Sequence, residues 1–310
     1  MSHPVPDVLA LHGVVPPLVT PLDEHGDVDR RSLERLLGFQ LEAGVDGVFV
    51  GGSSGEIALL DGRQRRAVVE VAAGTVAGAV PVLAGVVDTG TRRVIEHARD
   101  AARLRADAVV VTAPFYVQPH ASEIVAHFRH VHAAVDVPVV AYDIPSAVGA
   151  RLTPGVVGEL AEAKAVVALK DSSGDLASFR EILRQADLPA LTGSELLADT
   201  ALGLGAAGLV PGLGNVDPHG YVRLYRAMRD GDAGAARAEQ DRLAALFRIV
   251  SVADPGRIGF TAGALGGFKA ALALRGVLAC PATNLPLLPL NETETRTIAA
   301  HLAEAGLGEV

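Results

Sequence analysis

Only one cysteine, Cys280, is present, so no disulfide can form within the chain, and a reducing compartment suits it. Positive charge is also short: 27 Lys and Arg stand against 36 Asp and Glu, a net charge of -9. That balance argues against nucleic-acid binding, which relies on clustered basic side chains. No basic amphipathic stretch suggests a membrane surface, and no apolar run is long enough to span a bilayer. The stretch from Met1 to Leu11 has prolines at 4 and 6 and lacks the basic start and apolar run of a secretory leader. These absences predict a soluble, cytoplasmic protein with neither nucleic-acid nor membrane partners. No low-complexity linker or break in composition divides the chain. Its 310 residues, 49% apolar and 20% charged, are ordinary for a globular enzyme with one large core or two modest ones.

Short apolar runs alternate with longer helical patterns from end to end. The strand candidates are Val14–Thr20, Gly47–Val50, Val82–Val86, Ala108–Val111, Val139–Tyr142, Val166–Lys170, Ala190–Thr192 and Gly208–Val210. Most are continuous rather than alternating, the pattern of parallel strands buried on both faces. Helix starts are marked at Asp61, at Ser122 with Glu123, and at Thr153-Pro154. A doubly wound sheet and a closed barrel both fit alternation; a repeat of roughly 30 residues favours the barrel. The expected fold is α/β, a (β/α)8 TIM barrel with a C-terminal helical extension. Residues 1–216 form the barrel core through strand eight, and 217–310 the last barrel helix and the extension. Helical patterns cover Pro218–Arg229, Ala233–Val252, Arg257–Leu274 and Glu292–Ala305.

A barrel carries its chemistry at the C-terminal ends of its strands. Among the residues there, Lys170 stands out because it closes the apolar run Ala165–Leu169. Burial disfavours an ammonium ion, and a neutral amine can attack a ketone to form an imine that withdraws electrons from the neighbouring carbon. Taken alone, Lys170 reads more readily as a strand cap paired with Asp171 or Asp175. Tyr142 ends the preceding strand, where a phenol can shuttle protons or simply pack. After strand two, Gly51-Gly52-Ser53-Ser54-Gly55-Glu56 allows close backbone approach, and N–H groups at the start of the next helix can hold a carboxylate. The loop lacks the Gly-Lys-Ser/Thr ending of a nucleotide-binding loop. Gly203–Gly208 matches a dinucleotide fingerprint by letter but precedes a strand instead of following one. His127, His130 and His132 read as one surface helix rather than a metal site, and no strand-end metal set is visible. Gly212, Gly214 and Asn215 follow strand eight at the expected site mouth.

As a set, these segments resemble the dihydrodipicolinate synthase / N-acetylneuraminate lyase family of pyruvate-linked class I aldolases, over nearly the whole chain. The resemblance rests on Pro16–Pro21, Gly52–Glu56, Ala113–Tyr116, Tyr142–Pro145, Lys170–Asp175 and Gly205–Gly208. It implies Lys170 as the Schiff-base lysine and Tyr142 as the central acid and base. Ser53 and Tyr116 would form a hydroxyl relay, with Tyr116 reaching a neighbouring subunit's site. Ser54 and the loop N–H groups, Gly52 included, would hold the carboxylate of a 2-oxo acid. Gly193, Ser194, Ala147 and Val210 complete the implied substrate-binding set. No metal or organic cofactor is implied, because the imine is the electron sink. The partners implied are a 2-oxo acid, an aldehyde and further copies of the chain, as a dimer or tetramer.

The sequence departs from the family at Ala147, where its dihydrodipicolinate synthases carry an arginine that binds the aldehyde's carboxylate. A methyl group cannot replace a guanidinium. Arg151 is near in sequence. The expected activity is therefore aldol cleavage, condensation or dehydration of 2-oxo-3-deoxy sugar acids, sialic acid or other 4-hydroxy-2-oxo acids. The alternative is 4-hydroxy-tetrahydrodipicolinate (dihydrodipicolinate) synthase, condensing pyruvate with aspartate semialdehyde. A non-catalytic sugar-acid-binding paralogue would lose the lysine or the tyrosine, and both are present.

Overall fold

The computed structural model describes residues 11–308. Apart from Leu11, the stretch read above for a leader lies outside them. Eight parallel strands run in the order β1-β8-β7-β6-β5-β4-β3-β2. They are β1 Gly13–Val14, β2 Val48–Val50, β3 Val82–Gly85, β4 Ala108–Thr112, β5 Val139–Asp143, β6 Ala168–Asp171, β7 Ala190–Thr192 and β8 Gly208–Leu209. The two ends of this sheet meet: Leu18 N–H donates to the Phe49 carbonyl at 2.7 Å and Phe49 N–H to the Pro16 carbonyl at 3.0 Å. That seam closes the barrel.

The first strand is much shorter than the apolar run Val14–Thr20 suggests. Prolines 16 and 17 have no N–H to give to a ladder, so regular pairing stops ahead of them. Beyond it, Asn215 serves as a buried clamp. Its Oδ1 accepts from Val19 N–H at 2.9 Å, while its Nδ2 donates to the Pro17 and Gly212 carbonyls at 2.9 and 2.8 Å. Asn215 is therefore part of the barrel's closure and not of the site mouth.

Side-chain alternation divides the core in two. Ala108, Val110, Val140, Tyr142, Ala168 and Leu191 belong to a cluster inside the barrel, whereas Val109, Val139, Ala141 and Leu169 join the larger cluster under the helices. With a period of two, Tyr142 and Lys170 follow Val140 and Ala168 inward. Register then aligns Thr112, Tyr142, Lys170 and Leu191 on four neighbouring strands.

Helix boundaries follow local chemistry. Asp61 caps Gly62–Val76 with a reciprocal Gln64 box, and Thr153 caps Pro154–Glu162 with proline in its first turn. The helix expected to start around Ser122 is capped two residues earlier, by His120 with Glu123, and runs Ala121–His132. After the eighth strand come Pro218–Arg229, Ala233–Phe247, Phe260–Leu274 and Glu292–Glu304. The second of these ends earlier than the pattern suggests, tightening into a 3-10 turn over Arg248–Ser251.

The three histidines of Ala121–His132 do not share one face. His130 and His132 are exposed, but His127 is buried, with Nδ1 2.9 Å from Thr91 Oγ1. Among the described residues no three His, Cys, Asp or Glu side chains group as a metal site. Burial depresses His127 from 6.5 to about 4, with a smaller push from His130, against a raising backbone contact at Thr112. Its folded-state value lies below the unfolded one, so the unfolded chain binds the extra proton between these pH values and stability rises with pH there. Acidifying from pH 6.5 to 4 should therefore remove up to about 3 kcal/mol through this group. Urea titrations of wild type and His127→Asn across that range should show the loss in the wild type and a flatter profile in the variant. Comparison with the variant cancels Asp143 and Asp171, whose burial-raised values act in the opposite sense.

Candidate active site

Lys170 is the penultimate residue of β6, inside the barrel mouth, and is 5% exposed. Its Nζ lies 3.9 Å from the centre of the Tyr142 ring and 4.9 Å from that of Phe49, the two rings meeting edge to face. Glycine at 193 is required by packing: a Cβ there would stand 2.1 Å from Ser172 Oγ and 3.3 Å from Lys170 Cε. The lysine stem thus runs through a slot between β5 and β7 and delivers its amine to a cavity of about 720 Å3. Small-molecule sites typically enclose roughly 300–1,000 Å3.

Ser53, Ser54, Thr112, Tyr142, Gly193 and Val210 line that cavity with Lys170, and so do Ala147 and Glu195. Gly52 and Ser194 do not. Gly52 packs under the loop, where a Cβ would approach Phe49 Cε1 to 2.7 Å, and Ser194 N–H turns to Thr192 Oγ1 at 3.1 Å. Tyr116 is 95% exposed, with φ of +70°, and is absent from the cavity wall of its own chain.

The Gly-Ser loop is a chain of turns, and the next helix begins only at Gly62. Its anion-binding capacity comes from turn N–H groups rather than a helix end. Gly55 and Ile57 donate to the Gly52 carbonyl and Glu56 to that of Ser53. The N–H groups of Ser53 and Ser54 have no acceptor among the described residues. They belong to two residues that line the same cavity as Lys170.

A buried ion pair that the sequence did not reveal holds this loop. Glu56, at φ +60°, bonds to Lys269 on the Phe260–Leu274 helix; both side chains are fully buried. Its other oxygen accepts from Asn284 N–H at 2.5 Å, and Lys269 also donates to the Ala282 carbonyl at 2.6 Å. Burial lowers Lys269, and Glu56 opposes that. The chain has three lysines in all. Lys164 is exposed on a surface turn and Lys269 is tied to Glu56, which leaves Lys170 as the amine free to face the cavity.

Arg151 is committed elsewhere. Its Nε donates to Asp143 Oδ2 at 3.1 Å and its Nη1 lies 3.5 Å from Asp175. Asp143 also accepts from Leu152 N–H at 3.0 Å, fixing the segment outside the cavity wall. Glu195 follows β7 and lines the cavity. Its Oε1 accepts from Gly212 N–H at 2.8 Å. Burial pushes its carboxyl up, against its own N–H, that of Gly212 and the charge of Lys170.

An inward amine beside an inward phenol, in a barrel mouth that the Gly-Ser loop also lines, is an arrangement suited to carbonyl chemistry. Comparison with known proteins specifies the family: residues 10–305 match the dihydrodipicolinate synthetase family, and the chain belongs to it. It is 38% identical over 302 residues to an uncharacterised DapA-like lyase of Halobacterium salinarum, covering 97% of this chain and 96% of that one. Identity to a 4-hydroxy-tetrahydrodipicolinate synthase of Methanosphaerula palustris is 34% over 293 residues, 93% and 96% of the two chains. The crystal structure of YagE, a prophage protein of the same family from E. coli K12 in complex with pyruvate, superposes with a TM-score of 0.89. It is 28% identical, over 96% of this chain and 99% of that one. Enzymes of this family are lyases that form a Schiff base on a lysine without an external cofactor. They act on pyruvate and aldehydes and are usually oligomeric.

Loss of one partner from a buried ion pair leaves an uncompensated charge and costs about 3–5 kcal/mol. Lys269→Met should therefore lose stability of that order by urea unfolding. Adding Glu56→Gln to it should recover part of the stability, because no charge is then stranded.

Proposed function

We propose that the protein is a Schiff-base class I aldolase, or related dehydratase, acting on 4-hydroxy-2-oxo acids. That class includes 2-oxo-3-deoxy sugar acids and sialic acid. The observation that carries the reading is Lys170 Nζ in the barrel mouth, 3.9 Å from the Tyr142 ring. Lys170 attacks the C2 carbonyl and expels its oxygen as water. The imine draws electrons from C3, so the C3–C4 bond can break or form with Tyr142 moving the proton at the C4 oxygen. The free N–H groups of Ser53 and Ser54 receive the carboxylate, supported by Ser54 Oγ. Ser53 Oγ and Tyr116 extend the proton path from Tyr142, and Tyr116 does so from a second copy of the chain. Its exposure on its own subunit supports that assignment. The working unit is then a homo-oligomer, a dimer or tetramer, in the cytoplasm. No helix among the described residues is long and apolar enough to cross a membrane.

The reading as 4-hydroxy-tetrahydrodipicolinate synthase draws on the names of several relatives. Ala147 weighs against it, and so does Arg151, whose guanidinium is held by Asp143 and Asp175.

Incubation with pyruvate and borohydride should add one reduced pyruvate at Lys170, located by peptide mass spectrometry. Lys170→Ala should fold and take up none. Intact wild-type enzyme that gains no mass would sink the mechanism. Tyr142→Phe should lower kcat by about 10²–10⁴-fold, the usual worth of a positioned acid and base. If the relay is shared between subunits, inactive Tyr116→Phe and Lys170→Ala chains should regain activity when mixed and allowed to exchange.

A further inference from the structure

The cavity is much larger than pyruvate needs, and its chemistry changes away from Lys170. At the strand ends it is polar, with Ser53, Ser54, Thr112, Tyr142 and Glu195. Beyond them the wall is formed by Ile144, Val148, Phe247, Val250, Phe268 and Leu287. The last four come from the C-terminal part of the chain, so the barrel supplies the reacting end and the extension the far end. Among the described residues, no arginine or histidine lines the cavity. Lys269 and Arg151 are both held by carboxylates, and Ala147 offers only a methyl group. The acidic residues among the cavity lining are Glu195 and Glu56, and Glu56 is tied to Lys269.

These features decide which second substrate fits. A carboxylate on the aldehyde would leave water, find no cation and face Glu195. Burial of an unpaired charge is the costliest of the available mismatches. A polyhydroxylated chain would strip several hydroxyls of water against aliphatic and aromatic walls, at about 1–3 kcal/mol for each left unpaired. Ser146 and Thr261 are exposed at the rim, where two hydroxyls can serve one polar substituent but not a sugar chain. An apolar substituent instead gains about 25 cal/mol for each Å2 it removes from water.

Resting on the Schiff-base reading above, we infer that the second substrate is an uncharged aldehyde carrying an apolar substituent of about aromatic-ring size. The matching product is a 4-hydroxy-2-oxo acid with that substituent on C4. In the condensing direction, bound pyruvate gives up a methyl proton and becomes the enamine. Its methyl carbon bonds the aldehyde carbon, and the aldehyde oxygen takes a proton to become the hydroxyl. Water then cleaves the imine and returns the Lys170 amine. No oxidant or reductant enters.

The test measures pyruvate consumption by the wild-type enzyme with benzaldehyde, glyceraldehyde or succinate semialdehyde. Benzaldehyde should exceed both others in kcat/KM by tenfold or more. A polar aldehyde that equals or outruns benzaldehyde, or no turnover of benzaldehyde, overturns the assignment. Ala147→Arg should raise the ratio of succinate semialdehyde to benzaldehyde turnover at least tenfold; an unchanged ratio counts against the missing cation as its cause. Borohydride trapping with pyruvate alone separates the two levels. Without an adduct the Schiff-base reading itself fails, whereas an adduct together with a preference for polar aldehydes removes only the substrate class.

Discussion

Everything at this site depends on the parallel register that sets Tyr142 beside Lys170 on adjacent strands. A parallel pair places aligned residues on the same face of the sheet, so an inward tyrosine obliges its neighbour to point inward too. A one-residue slip of β6 would turn Lys170 out toward the helices and bring Leu169 into the barrel. The apolar residues flanking both positions prevent that slip, since they fill two separate cores with little room for exchange. The geometry of the candidate site is thus a by-product of ordinary barrel packing.

The C-terminal extension adds two things that the barrel lacks. Through Lys269 and Asn284 it grips Glu56, holding a strained turn whose serines line the cavity with Lys170. Through Phe247, Val250, Phe268 and Leu287 it also forms the apolar far wall. One part of the chain therefore shapes both the Gly-Ser loop end and the apolar end of the cavity. A left-handed backbone at a glutamate costs about 1–3 kcal/mol and persists only where its surroundings enforce it. Here the enforcement is a buried charge pair with carbonyl and amide contacts on both sides.

Strand positions were readable because parallel strands buried on both faces must be apolar throughout. The seven runs from Gly47 to Val210 show this, and their edges move by only a residue or two. The first was overread because Pro16 and Pro17 are apolar by composition yet cannot donate to a ladder. Histidine spacing misled in a similar way: i, i+3 and i+5 do not share one helical face, so His127 is buried while its neighbours are exposed. Asn215 sat in a suggestive loop, but its three hydrogen bonds close the barrel.

Lys170 at the end of an apolar strand, Tyr142 on the strand before it and the Gly-Ser loop were determined by the sequence alone. Each is a local signal, a polar residue at a fixed place in a short pattern. Tertiary structure decided which charges are free. Arg151 and Lys269 look available in the sequence and are consumed by Asp143 and Glu56, partners 8 and 213 positions away. Whether a charge reaches a substrate depends on what its neighbours in space have already neutralised, and only the folded chain determines those neighbours.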